Sequence, residues 1–287
     1  MNAPDSPFAS VAATTVPPAA PAPSGTSAPP AIEFLGITRR FAQQGGKGEM
    51  VAVQDVRVAI APGEMVALIG PSGCGKSTLL NMGAGLYAPS AGEVKVAGTK
   101  VTGPRREVAF MLQKDLLLPW RRIRENIELG IEIRGMAASE RRERASQLLE
   151  RCHLAGFGDH YPYQLSGGMR QRAALARTLA VDPQVLLLDE PFSALDAQTK
   201  MVLQRDLAEL IDAEGKTALL ITHDLVEAAA LADRVLVMSA RPGRIIEEIR
   251  TDLPHRADPL ARRRHPRMGE ITARLMELLH VGESEIV

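Results

Sequence analysis

The chain has 287 residues, enough for one full domain with subdomains or for two small domains. Its 34 Lys and Arg balance its 34 Asp and Glu, which excludes a globally basic nucleic-acid binder and leaves only local patches. The two cysteines, Cys74 and Cys152, lack metal-ligand spacing, so no disulfide framework is expected and a reducing cytoplasm is implied; no apolar run reaches the roughly 18 residues that span a bilayer.

Residues 1–31 are rich in Pro, Ala, Ser and Thr and cannot bury enough apolar surface to offset chain entropy, so they read as a disordered tail. They lack a basic stretch followed by an apolar one and do not read as a secretory signal. Order is expected from Ile32. Ile32 to Ile37 reads as a strand, ended by Thr38-Arg39-Arg40-Phe41, and Gly45-Gly46-Lys47-Gly48 as a turn. Met50 to Ile60 alternates apolar and polar residues and predicts one or two further strands. Phe41 stands out because aromatics make up only 3% of the chain; it suits either a base-stacking residue or a strand-end core residue.

Met65-Val66-Ala67-Leu68-Ile69 reads as a buried strand, and a helix is predicted from Lys76 to Leu86. Between strand and helix runs Gly70-Pro71-Ser72-Gly73-Cys74-Gly75-Lys76-Ser77-Thr78. Strand, glycine loop and helix in that order is what a phosphate-binding loop requires. Glycines let backbone N–H groups turn inward as an anion nest, and a helix N-terminus adds positive potential. Lys76 can reach the β- and γ-phosphates, the Ser77 hydroxyl can ligate Mg2+, and Thr78 can hold a phosphate oxygen. Cys74, at a helix N-terminus beside a lysine, is expected to be a reactive thiol.

Glu93 to Val96 with Gly98 predicts a short hairpin, and Glu107 to Leu112 a strand ending at Gln113. Asp115-Leu116-Leu117-Leu118-Pro119-Trp120 carries the only Trp, as core or as an exposed docking surface. Residues 121–181 read as helical, with Ile123, Ile127 and Ile131 in helical period and breaks at Gly156, Gly158 and Pro162. Ser166-Gly167-Gly168 at a helix start is a second candidate anion site.

Val185-Leu186-Leu187-Leu188 predicts a buried strand ending in Asp189-Glu190, whose carboxylates should point to opposite sides, one serving Mg2+ and the other facing water. Ser193-Ala194-Leu195-Asp196 precedes a helix with Leu203, Leu207, Leu210 and Ile211 on one face. Thr217 to Thr222 reads as a strand with His223 at its end, a position that by itself favours a structural histidine. A short helix, a strand over Arg234 to Met238, a turn at Arg241-Pro242-Gly243-Arg244 and a strand over Ile245 to Ile249 follow. Arg256, Arg262, Arg263 and Arg264 read as a solvated face, with contact to anionic lipid or a partner as the alternative. The last helix carries Ile271, Leu275, Leu278 and Leu279 at amphipathic spacing. Strands alternating with helices around a phosphate loop imply an α/β fold with a mainly parallel sheet and ligands at the strands' C-terminal ends.

The phosphate loop, Gln113, Leu-Ser-Gly-Gly-Met-Arg-Gln-Arg from Leu165, Val-Leu-Leu-Leu-Asp-Glu-Pro, Ser-Ala-Leu-Asp and Thr-His-Asp stand in that order. Over residues 32–250 this resembles the ATPase subunit of an ABC transporter. Asp115 to Trp120, Ala-Arg-Pro-Gly-Arg-Ile from Ala240 and the C-terminal helix resemble the nitrate/sulfonate/taurine type of importer. Met169 stands where Gln is usual in the signature, as it often does in importers of this type. The resemblance implies a P-loop NTPase core, an antiparallel β subdomain, a helical subdomain near 114–180, and a linker with an amphipathic helix over 251–287.

It also implies roles. Phe41 resembles the aromatic that stacks on adenine. Gly70 to Thr78 would bind the phosphates of ATP, with Mg2+ held by Ser77, Gln113 and Asp189. Glu190 would polarise the attacking water, and His223 resembles the switch histidine at the γ-phosphate. Ser166, Gly167 and Gly168 resemble the signature that caps ATP held by a second subunit, and Asp196 lies where the family's D-loop crosses the dimer interface. The implied partners are a second ATPase subunit as a homodimer, transmembrane permease subunits and, indirectly, a solute-binding protein, with no nucleic acid. The implied location is the cytoplasmic face of the cell membrane.

Three other readings compete. An exporter or lipid-extracting ATPase is opposed by Trp120 and the Arg-Pro-Gly-Arg turn. A DNA-maintenance ATPase is opposed because Lys76 to Ser166 carries neither sustained heptads nor Cys pairs. A non-hydrolysing scaffold is opposed by Lys76, Glu190 and His223. The solute stays open among nitrate, alkanesulfonates, taurine and pyrimidine- or riboflavin-like compounds.

Overall fold

The computed structural model describes residues 28–42 and 48–279. Most of the expected N-terminal tail and the Gly45-Gly46-Lys47 turn lie outside the described residues.

Two sheets form the core. The larger has the order β10-β9-β3-β8-β7-β6. Strands β3 (Met65–Ile69), β6 (Val108–Met111), β7 (Val185–Asp189), β8 (Thr217–Ile221) and β9 (Arg234–Met238) run parallel, and β10 (Ile245–Arg250) is antiparallel to β9. Every residue of β3, β7 and β8 is buried. That explains their near-continuous apolar sequences, interrupted only by Asp189 at the end of β7 and Thr217 at the start of β8, since a parallel sheet is covered on both faces. Each buried Val, Leu or Ile there contributes about 1.5–3 kcal/mol over an exposed one.

The smaller sheet is antiparallel, in the order β2 (Glu49–Ile60), β1 (Ile32–Ala42), β4 (Ala91–Val96), β5 (Thr99–Lys100). The sequence suggests that β1 stops at Ile37, but it continues to Ala42. Gly36 adopts φ +65 and the register shifts around it, so a bulge bends the strand instead of ending it. Phe41 is therefore a strand residue. Helix α1 (Lys76–Gly83) sits between the sheets. A Cβ on Gly83 would stand 3.2 Å from both Leu187 and Phe34, so this glycine sets how closely the helix packs.

The stretch 121–181 is helical with the break expected around Gly156 to Pro162 and one more before it. It divides into α2 (Ile123–Ile133), α3 (Ala138–Arg151) and α4 (Gly167–Ala180) around their own core of Ile123, Ile127, Ile131, Leu149 and Ala176. The first break, at Gly135 with φ +83, is not evident from the sequence pattern.

Helices α5 (Ala197–Glu214), α6 (Leu225–Leu231), α7 (Pro259–Arg263) and α8 (Arg267–Leu278) complete the elements of the described residues. Met268, Ile271 and Leu275 of α8 are buried with α6 residues and with Val235 and Val237. Of the arginines before α8, Arg264 is exposed as their clustering suggests, but Arg262 is buried and Arg256 and Arg263 are half-buried. Arg262 is 2% exposed and donates to the carbonyls of Ala230, Leu231 and Leu253 and to Thr251 Oγ1. Arg256 pairs with Asp233 at 2.8 Å and also reaches the Gly63 carbonyl. The last carbonyls of a helix lack intrahelical donors, and the guanidinium fork supplies them. Among the described residues, no helix is long and apolar enough to cross a membrane.

Candidate active site

The loop from Gly70 wraps the start of α1. Gly73 and Gly75 adopt φ +74 and +109. A Cβ on Gly75 would stand 2.7 Å from Val53 Cγ2 and 2.9 Å from the Ala52 carbonyl, so β2 presses on the loop where only glycine fits. No side chain caps the N-terminus of α1, which leaves its first N–H groups directed at the loop. Lys76 Nζ donates to the carbonyls of Gly70 at 2.7 Å and Pro71 at 2.9 Å. Its ammonium thus lies across the loop.

Three parallel strands deliver the remaining groups from their C-terminal ends. Asp189 closes β7 and is 5% exposed. Burial pushes its carboxyl above the usual carboxylate range; the Glu190 charge adds to this, while a bond with the Ser77 hydroxyl and the Lys76 charge oppose it. Glu190 follows with φ 49, a left-handed conformation that costs a non-glycine residue about 1–3 kcal/mol. Its N–H is held by the Ile221 carbonyl at 3.0 Å, beside the end of β8. The turn swings the carboxylate outward: Glu190 Oε2 accepts from Gln113 Nε2 at 3.1 Å and lies 3.4 Å from His223 Nδ1. Gln113 follows β6 and His223 follows β8.

These groups face a cleft of about 360 Å3 lined by Phe41, Ser72, Gly73, Gly75, Lys76, Ser77, Thr78, Gln113, Asp189 and Glu190. Gly70, Pro71 and Cys74 do not line it, and neither do Ser166, Gly167 and Gly168. Those three open α4, where Ser166 Oγ caps Met169 N–H at 3.3 Å. His223 stands at the rim with a largely exposed ring.

Met50, Ala52, Ile221 and Arg241 also line the cleft, and sequence reading does not single them out as site residues. Arg241 is the most informative. Its Nε and Nη2 donate to the Gly73 carbonyl at 3.0 and 2.6 Å, and a Cβ on Gly243 would meet the Cys74 carbonyl at 2.1 Å. The Arg-Pro-Gly-Arg turn is visible in the sequence, but its return to a loop so far upstream is not.

The reactive thiol expected at Cys74 is not supported. Cys74 is 1% exposed and packs in the core beneath the loop; its Sγ lies 3.8 Å from Lys76 Nζ, as its position beside the lysine suggests, but the thiol is shielded from solvent. Cys152 is buried too, and burial pushes its thiol up to about 12. Neither thiol should react with a disulfide reagent in the native protein. The expected outcome is release of both thiols only in denaturant, followed by absorbance; rapid native labelling at Cys74 would contradict its burial.

Residues 53–193 match the family model described as ABC transporter. The chain is 47% identical over 216 residues to the taurine import ATP-binding protein TauB of Yersinia pestis, covering 75% of this chain and 84% of that one. It is 44% identical over 227 residues to an uncharacterised ABC transporter ATP-binding protein of Methanocaldococcus jannaschii, covering 79% and 84%. Its fold matches the dimeric, post-hydrolysis structure of the ATP-binding cassette MJ0796 bound to ADP and Pi, with TM-score 0.71, 33% identity, and 77% of this chain and 98% of that one covered. With the phosphate loop, the paired carboxylates and the sheet topology already in place, these similarities establish that the chain belongs to the ATP-binding ATPase subunits of ABC transporters.

Proposed function

We propose that the chain binds and hydrolyses ATP to energise an importer for a small solute of the nitrate, sulfonate or taurine kind. The observation that carries the hydrolytic half is Glu190, held between Gln113 and His223 at the mouth of the phosphate loop. A carboxylate accepting from a glutamine amide, beside an imidazole, is placed to take a proton from water as it attacks the γ-phosphate. Such general-base action is worth about 10^2–10^4 in rate. Lys76 and the loop N–H groups hold the β- and γ-phosphates, Phe41 stacks on adenine, and His223 contacts the γ-phosphate. Phosphoryl transfer needs little more than this positioning and charge.

The donors also fit Mg2+. Among the described residues no group of three His, Cys, Asp or Glu side chains could hold a metal alone. Mg2+ prefers one or two carboxylates together with phosphate oxygens and water. Ser77 and Asp189 would hold it with Gln113 nearby, and the cation would neutralise charge on the transferred phosphoryl.

We further propose a head-to-tail homodimer, because Ser166, Gly167 and Gly168 lie outside the cleft of their own chain and suit the ATP of a second one. In this division residues 32–250 form the ATPase, 114–180 its helical subdomain and 251–287 the C-terminal linker and helix. The pair would sit at the cytoplasmic face of the membrane against permease subunits, served by a solute-binding protein and without nucleic acid.

Trp120 is 72% exposed and Leu116 54% exposed, just beyond Gln113, which supports the docking reading over the core one. Trp120→Ala should leave ATPase activity of the isolated subunit unchanged and weaken its co-purification with the permease. The import reading itself is tested in proteoliposomes holding the complete complex. Solute-loaded binding protein should stimulate ATP hydrolysis and inward solute flux, whereas ATP-driven efflux, or hydrolysis indifferent to binding protein, would count against it.

A further inference from the structure

Helix α6 begins two residues after His223 and carries a carboxylate, Glu227, that the proposed hydrolysis does not use. Glu227 is 2% exposed. Its Oε2 accepts from Lys200 Nζ at 2.6 Å and from Gln204 Nε2 at 2.8 Å, both on α5. Lys200 Nζ also reaches Asp224 Oδ2 at 2.8 Å. Asp224 directly follows His223 and caps α6, its Oδ1 accepting from Glu227 N–H at 3.0 Å. At the far end Gln204 Oε1 accepts from Arg263 Nη2 on α7 at 2.6 Å. An unbroken run of polar contacts thus joins the C-terminal segment to the residue beside His223. The adjacent Arg262 grips the other end of α6 through the Ala230 and Leu231 carbonyls, each at 3.1 Å.

Two consecutive arginines therefore act on one short helix, Arg262 directly at its C-terminal end and Arg263 through Gln204 and Glu227 near its start. A buried network of this kind loosens when a partner is removed, and among the described residues this one already leaves Arg263 Nε buried without one. Gln204 is 1% exposed, and its amide orientation is set by Arg263 on one side and Glu227 on the other. Losing Arg263 leaves the amide oxygen without that donor and weakens the hold on Glu227. Losing the Lys200 ammonium would strand a buried carboxylate, a severe change.

We infer that Lys200, Gln204, Glu227 and Arg263 are positioning residues that hold His223 against Glu190, so that the C-terminal segment sets the rate of hydrolysis. The inference rests on the reading of His223 given under Proposed function. The test uses the full chain with Arg263→Ala, Arg263→Lys and Gln204→Leu, measuring kcat, the Kd of a fluorescent ATP analogue, the Tm and the His223 imidazole NMR resonance. Arg263→Ala and Gln204→Leu should lower kcat about tenfold, less than the roughly 10^2 that a 1 Å misplacement can cost, with Kd within about twofold. Arg263→Lys should recover most of the rate, and the His223 resonance should move in Arg263→Ala. Should Gln204→Leu fail to fold, the two Arg263 variants, at a half-buried position, decide the matter. An unchanged kcat with an unmoved resonance overturns the inference, as does a parallel loss of kcat, affinity and Tm. If His223→Ala turns over ATP normally, the role of His223 fails and the rate claim with it, even where the resonance moves; an inactive His223→Ala with an unmoved resonance fails the relay alone.

Discussion

Glu190→Gln is expected to cut ATP turnover by about 10^2 or more while leaving ATP binding intact. The amide keeps the shape of the carboxylate, and the backbone at φ 49 is unaffected by the exchange. Its oxygen can still accept from Gln113 Nε2. What disappears is a group able to take a proton, so the loss should fall on the chemical step. With hydrolysis blocked, closure no longer ends in release, and an ATP-bound dimer should accumulate in gel filtration. Phosphate release under steady state gives the rate, and equilibrium nucleotide titration gives the affinity. Normal turnover by this variant would remove Glu190 from the role of base.

Lys76→Met should weaken ATP binding by about 10^2. The ammonium lies within 3 Å of two loop carbonyls, at the place where the β- and γ-phosphates are proposed to bind. Charge-assisted hydrogen bonds contribute about 1.5–3 kcal/mol each, and their loss to the phosphates amounts to about 3 kcal/mol, or that factor in Kd. Methionine keeps a stem of similar length, so the loop should hold its shape. Titration with a fluorescent ATP analogue, with circular dichroism to confirm the fold, makes the comparison. An affinity within about threefold of the parent would mean that the loop N–H groups, not Lys76, hold the phosphates.

The parts of the site most legible in the sequence are those that are contiguous in it. Residues 65–78 carry strand, loop and helix start in one run, and Val185 to Glu190 carries a strand and its two carboxylates. The groups that sequence reading passes over are set by distant chain. Arg241 meets Gly73 only because β9 lies beside β3, and Arg263 meets Gln204 only because α7 packs on α5. Arg262 misleads for a different reason. Arginine is seldom fully buried, and the carbonyls of Ala230, Leu231 and Leu253 with the Thr251 hydroxyl make its burial favourable. The left-handed turn at Glu190 leaves no trace either, since glutamate rarely adopts it. For Cys74, position suggested reactivity, but its side chain follows the core.

Strands β6 and β7 are sheet neighbours, Val108 pairing with Val185, yet the whole α2–α4 unit is threaded between them. Joining two strands across so long an excursion is a problem of time more than of stability. Each doubling of such a loop adds only about 0.6 kcal/mol of closure entropy, while non-local parallel pairing slows folding. An excursion with its own apolar centre shortens the effective search, because α2–α4 can collapse as a unit before the flanking strands meet. During synthesis, the β6 edge must wait for β7 with its partner not yet made. That interval is when this sheet is most open to pairing with the wrong chain.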